Sequence, residues 1–375
     1  MECFKKIGLL LCISMLMLQG CVTNTLDDCP EAIRYALAFK YTLHTERSNH
    51  VVDNEFDRFY DDVDKMFVYV FDAASSKCVF VDTLTLLAPF KEDYTYPISL
   101  NIGKYDIIAW GWGRNLGDDS LKVSTAIIPL VIPGTTTIDN ARLQIEKNSI
   151  NGQLEKIFYS EMRDVNIPAF VSRVDTMPLM NISNLIRVVI KDAKTAKMQD
   201  EMDVSITSND GAYFFDSRSP SRDDSYGTSG YFRSGNNAPD LDGRYGNVTY
   251  LPYKTYRTDS ILKADPIYID SYSGSGRDSM LVLDMSSLRL VQDNQNTELV
   301  VDYNGDITKF DIIDILQTAI NRANLSPRGS QYHLDRYHRW QILISKTGTN
   351  VTVTVSVLDW HYVFVERPIG DGFWQ

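Results

Sequence analysis

The chain has 375 residues, enough for two domains of ordinary size that each bury a core. It carries 37 Lys and Arg against 49 Asp and Glu, a formal net charge of −12, and no basic block occurs along it. A nucleic-acid partner is excluded on that ground, because phosphate binding needs a concentrated positive footprint.

Residues 1–20 read as a secretory signal. Lys5 and Lys6 precede an apolar run from Ile7 to Leu18, well short of the ~20 residues that a membrane span needs. The run closes on Leu18-Gln19-Gly20-Cys21. That ending resembles a bacterial lipobox, in which the signal is cut before the cysteine and the thiol takes a diacylglycerol. An ordinary signal with an incidental cysteine is the alternative, but such signals want small residues where Leu18 stands. Cys21 is therefore expected to be the lipidated (palmitate-bearing) N-terminus, followed by a spacer over residues 21–29. Several acyl chains on one residue anchor stably where one chain is marginal. No second long apolar stretch occurs after it, so the mature chain is expected to sit on a membrane without crossing it.

Of the five cysteines, Cys3 and Cys12 leave with the signal and Cys21 is modified. Cys29 and Cys78 remain, an even pair in an oxidising compartment, so a disulfide between them is one expectation. Two separately buried thiols are the other, since sequence does not give their separation.

Alternation dominates the chain from Tyr35 onward. In "RYALAFKYTL" Tyr35, Leu37, Phe39, Tyr41 and Leu43 share one face, the period of a half-buried strand. "KMFVYVFD" (65–72) is apolar on both faces, as in a strand at the centre of a sandwich. "KYDIIAWGW" and several shorter segments continue the series with turn residues between them. Alternation lapses in "MRDVNIP" after residue 161, which places a domain boundary near 163, so that residues 30–163 and 164–375 form two units. The second half repeats the style in "LIRVVIKD", "RWQILISK" and "VTVTVSVLDW". Many short strands with little helical periodicity predict an all-β fold of two tandem β-sandwiches.

Two segments break the pattern. Residues 207–247 are dense in Ser, Gly, Asp and Arg and read as a long excursion loop. Its Tyr213, Phe214, Phe215, Tyr226, Tyr231 and Phe232 are available for a contact surface, the plainer reading being a solvated loop. In "ITKFDIIDILQTAINRAN" Phe310, Ile313, Leu316 and Ile320 recur at helical spacing, with Thr308 as N-cap. One amphipathic helix across the second sandwich is predicted.

No constellation carries catalysis. Asp302, Asn304 and Asp306 in "DYNGD" have the opening spacing of a calcium loop, but Ile307 and Ile313 stand where Gly and a bidentate carboxylate are needed. An Asn-Gly turn leading into the helix explains the same residues. His333 and His338 are five apart and share neither a helix face nor a strand face. "GWGRNLG" lacks the Lys-Ser/Thr of a phosphate-binding loop, and no Gly-x-Ser-x-Gly occurs. No enzyme activity, metal or cofactor is expected.

The lipobox, "DDCPE", "YALAFKYTL", "DKMFVYVFD", "YDIIAWGWG", "KIFYSE", "ISNLIRVVIKD" and the terminal "VTVTVSVLDWHYV" occur in this order. Together they resemble the FimB-type fimbrial anchoring subunits of Bacteroidetes, lipoproteins at the base of type V pili. The resemblance implies two transthyretin-like Greek-key sandwiches, attachment to the outer membrane with the protein at the cell surface, and a role in holding fimbriae to the cell and limiting their length. The implied partner is a stalk fimbrillin, met by exchange of a β-strand. A tip or stalk subunit of the same fimbriae is an alternative, in which Arg47 or Arg58 would lie in a cleavage loop. Another class is also open, a surface glycan-binding lipoprotein of a nutrient-uptake system using Trp110, Trp112 and the loop tyrosines as platforms. For an anchor, Val351 to Val357 would complete the last sandwich, and Tyr362, Val363, Phe364 and Val365 would be the spare, β-prone donor strand. Folding back of residues 361–375 onto the C-terminal domain is the competing reading.

Overall fold

The computed structural model describes residues 35–43, 56–85, 95–113, 122–123, 125–128, 130–145, 149–168, 172–191, 202–209, 211–215, 247–261, 272–273, 280–290, 296–303, 305–322, 334, 338–347, 350–357 and 360–368. In the first half the strands are β1 (Tyr35–Leu43), β2 (Phe56–Asp57), β3 (Val63–Asp72), β4 (Cys78–Thr85), β5 (Tyr96–Ile98), β6 (Gly103–Gly113), β7 (Lys122–Val123), β8 (Thr125–Ile128), β9 (Arg142–Ile145), β10 (Ser149–Ile150), β11 (Gln153–Leu154), β12 (Ile157–Ile167) and β13 (Arg173–Asn181). The second half adds β14 (Ser183–Lys191), β15 (Met202–Ser208), β16 (Ala212–Phe214), β17 (Val248–Tyr250), β18 (Lys254–Thr258), β19 (Ser260–Ile261), β20 (Tyr272–Ser273), β21 (Met280–Leu288), β22 (Glu298–Tyr303), β23 (Asp306–Asp311), β24 (Arg339–Thr347), β25 (Asn350–Val357) and β26 (Trp360–Pro368). Two helices are described, α1 (Phe59–Asp62) and α2 (Ile312–Arg322). The fold is all-β in character.

The N-terminal sheet runs β2-β1-β13-β12-β6-β3-β4, with β5 also on β1. It folds over on itself. Leu37 and Phe39 of β1 and Met177 of β13 share a core with Val68 and Val70 of β3 and Ile107 of β6, strands that are not their neighbours in the sheet. The corner is the short β12–β13 contact, Phe158 with Asn181 and Tyr159 with Met180. The other faces of β3, β6 and β12 are apolar too. Tyr69, Phe71, Ile108, Trp110 and Tyr159 point into a second core, which is why "KMFVYVFD" shows no polar face.

That second core continues through the C-terminal half. A six-stranded sheet, β18-β21-β14-β24-β25-β26, faces a five-stranded one, β10-β17-β15-β22-β23. Ile186 and Val188 of β14, Trp340 and Ile342 of β24, and Ile206 and Val301 from the opposing sheet belong to the same cluster as Trp110 and Tyr159. Helix α2 adds Ile313, Leu316 and Ile320. The two halves are thus packed through one continuous apolar interior.

The boundary expected near residue 163 falls inside β12. The lapse in alternation there is a β-bulge, between Met162 and Val165 where β12 pairs with β6, and Asp164 takes a left-handed φ of 52°. Arg163 fastens it: its guanidinium meets Glu161 at 2.7 Å and Asp106 at 3.3 Å, and the Asp164 amide donates to Asp106. The chain passes from one sheet to the other at Ile182, between β13 and β14.

The helix also begins later than its periodicity suggests. Residues 306–311 form β23, in register with β22 as far as Glu298 opposite Asp311. Asp311, not Thr308, caps α2, accepting the Asp314 amide at 2.9 Å. The "DYNGD" turn therefore joins β22 to β23 rather than entering the helix. Gly305 sits there at φ 87°, and its amide donates to Asp302. The first part of the expected excursion loop is core: Tyr213 and Phe215 are fully buried, and Phe214 nearly so.

Candidate subunit interface

Two ends of the fold bear on attachment. At the N-terminal end the chain enters β1, which lies inside the sheet. It pairs with β13 in parallel over seven residues, Tyr35–Arg173 to Tyr41–Leu179, and on its other side with β5 and β2. Side chains secure both ends of the strand. The Tyr35 phenol donates to Asp175 at 2.9 Å, and the other carboxylate oxygen of Asp175 takes Arg173 at 2.7 Å. At the far end the Tyr41 amide donates to Asp57, and the Arg58 amide returns a bond to the Tyr41 carbonyl at 2.7 Å. Burial, reinforced by Asp175, pushes the Tyr35 phenol well above its ordinary range, and burial does the same to Tyr41. Sequence reading missed this clip, because Tyr35 and Asp175 lie 140 positions apart.

At the C-terminal end, β25 and β26 form the outermost hairpin of the six-stranded sheet. The residues read as a spare tail are held there: Tyr362 is opposite Val355, Val363 opposite Thr354 and Val365 opposite Val353. Phe364 is the extra residue of a bulge that interrupts this ladder. The outer edge of β26 meets no further strand among the described residues.

The other expected site residues are scattered. Cys21 and Cys29 lie outside the described residues, as do Arg47, Tyr226, Tyr231, Phe232 and His333. Cys78 is a free, fully buried thiol directed at the Phe80 carbonyl 3.3 Å away, and burial pushes it up to about 11. Trp110 is fully buried between Tyr159 and Phe215, and Trp112 packs edge-on against Phe67. Trp110 is thus a core residue rather than a glycan platform. Arg58 pairs with Asp61 and Asp62 of α1. No cluster of metal-ligating side chains occurs among the described residues. No helix among them is long and apolar enough to cross a membrane.

A family model, that of the fimbrillin-A associated anchor proteins Mfa1 and Mfa2, matches residues 26–366. The chain belongs to the Mfa2 family. Its members include anchor proteins, so a fimbrial accessory subunit at the cell surface is the coarse identity. No curated protein matches the chain in sequence. Among solved structures, a candidate polysaccharide-binding protein of Bacteroides thetaiotaomicron superposes with a TM-score of 0.62 at 20% identity, covering 90% of this chain and 100% of that one. A candidate adhesin of the same organism gives 0.61 at 19% identity, with 90% and 99% covered. The fimbrial anchor protein Mfa2 of Porphyromonas gingivalis gives 0.51 at 14% identity, with 88% and 98% covered. At these identities the likeness establishes a common fold and nothing further.

Proposed function

We propose that this Mfa2-family protein is a fimbrial anchoring subunit, held on the outer membrane by lipid on Cys21 and joined to a stalk fimbrillin by exchange of β26. A subunit placed in this way would also cap the stalk and limit its length. The observation that carries the reading is the state of β26. Among the described residues it is the final strand and the edge of its sheet, and an internal bulge interrupts its one ladder, to β25. Such a strand can leave without opening any interior ladder, and its backbone groups then seek a new sheet edge. The first strand differs in this respect, since β1 is paired on both sides and closes the N-terminal core.

The test is truncation after Asp359, which removes β26 and spares β25. The shortened protein is expected to fold, to be lipidated, and to lose fimbriae from the cell surface. A folded, lipidated truncation that still retains fimbriae would sink the exchange.

A further inference from the structure

We infer that the parallel β1–β13 ladder is a shear clamp that carries tension between the membrane end of the chain and its C-terminal half. The inference rests on the proposed attachment through residue 21, which would make the entry to β1 the point where a pulled fimbria meets its tether. The geometry is set by the order of elements. The tether enters β1 at Tyr35, and the C-terminal half leaves β13 at Asn181, linked to β14 by Ile182 alone. Because β1 and β13 run parallel, these two points lie at opposite ends of the paired region. Tension between them slides the strands along one another, so that all seven residue pairs resist together rather than opening one after another.

The first pair is reinforced where force arrives. Tyr35 is opposite Arg173, and both bind the two oxygens of Asp175. On its other edge β1 is gripped by Tyr96–Ile98 of β5 at the entry end and by β2 at the exit, each of which must also slide. Leu37, Phe39 and Tyr41 project into the core, so displacement along the strand axis drags apolar side chains out of their seats. The covalent route from β1 to β13 runs through the whole N-terminal half, whereas the ladder is the direct path.

The test is single-molecule pulling of the mature chain, residues 21–375, with one handle at residue 21 and the second at one of three exposed β13-side positions, Pro178, Thr176 or Ser172. Attachment at 178 shears almost the whole ladder, and attachment at 172 peels it from its Tyr35 end. Forced unfolding reads the barrier rather than the equilibrium, so the rupture force is expected to fall stepwise from 178 to 172, by about twofold in all. Tyr35→Phe, which keeps the ring and removes the bond to Asp175, should lower the force at 178. A rupture force that does not depend on attachment position would overturn the clamp. The handle stands in for the lipid, so failure here leaves lipidation untouched, and failure of lipidation in cells leaves this measurement untouched.

Discussion

At the scale of single residues, the C-terminal sheet holds a charge pair with no access to water. Arg187 on β14 and Asp284 on β21 face each other in register, joined by two hydrogen bonds of 2.6 and 2.9 Å, both side chains fully buried. A buried pair is worth little against an apolar replacement, but a buried charge stripped of its partner is expensive. Asp284→Ala is therefore expected to cost about 3–5 kcal/mol in urea unfolding. The double change Arg187→Met with Asp284→Leu should recover most of that loss. An Asp284→Ala protein as stable as its parent would show that water reaches the pair.

Cys78 and Tyr69 make a second residue-scale prediction. Burial raises the thiol from 9.0 to about 11, and burial lifts the Tyr69 phenol above its ordinary value of 10.0. A raised folded value stabilises below the unfolded one, and that contribution is lost as pH climbs through the folded value. Stability should hold steady to about pH 8 and fall across pH 9 to 11. A urea midpoint unchanged between pH 8 and 11 would contradict this.

At the scale of elements, alternation located most strands, because a sheet with a buried face imposes period two on its sequence. It found β1 through Leu37, Phe39 and Tyr41, whereas β3 was legible as a short run apolar on both faces around Val68. It failed where a backbone irregularity imitates a boundary: the bulge beside Arg163 breaks the period as a linker would, yet the strand continues on the far side. Helical spacing misled at Phe310 for a related reason. A strand that runs straight into a helix leaves one unbroken apolar pattern, and only the cross-strand register with β22 separates β23 from α2. The aromatic residues Tyr213 to Phe215 looked like loop surface by composition, but Phe215 packs edge-on against Tyr69 and Phe71 and tilted against Trp110. Nothing local announces such a long-range cage.

At the scale of the whole molecule, the two halves share an interior that runs from Tyr69 and Trp110 to Trp340 and Phe310. A pull on one half is thus passed to the other through packed side chains as well as through Ile182, which the proposed anchoring role requires. The proposed attachments lie far apart in the chain, at residue 21 and at β26. On the proposed function, lipid on Cys21 holds both this protein and the fimbriae on the cell. This is tested most directly by Cys21→Ala in cells, with the protein and the fimbrillin followed together through membrane and medium fractions. Both are expected to move to the medium. Release of the variant protein while the fimbriae stay on the cells would contradict it.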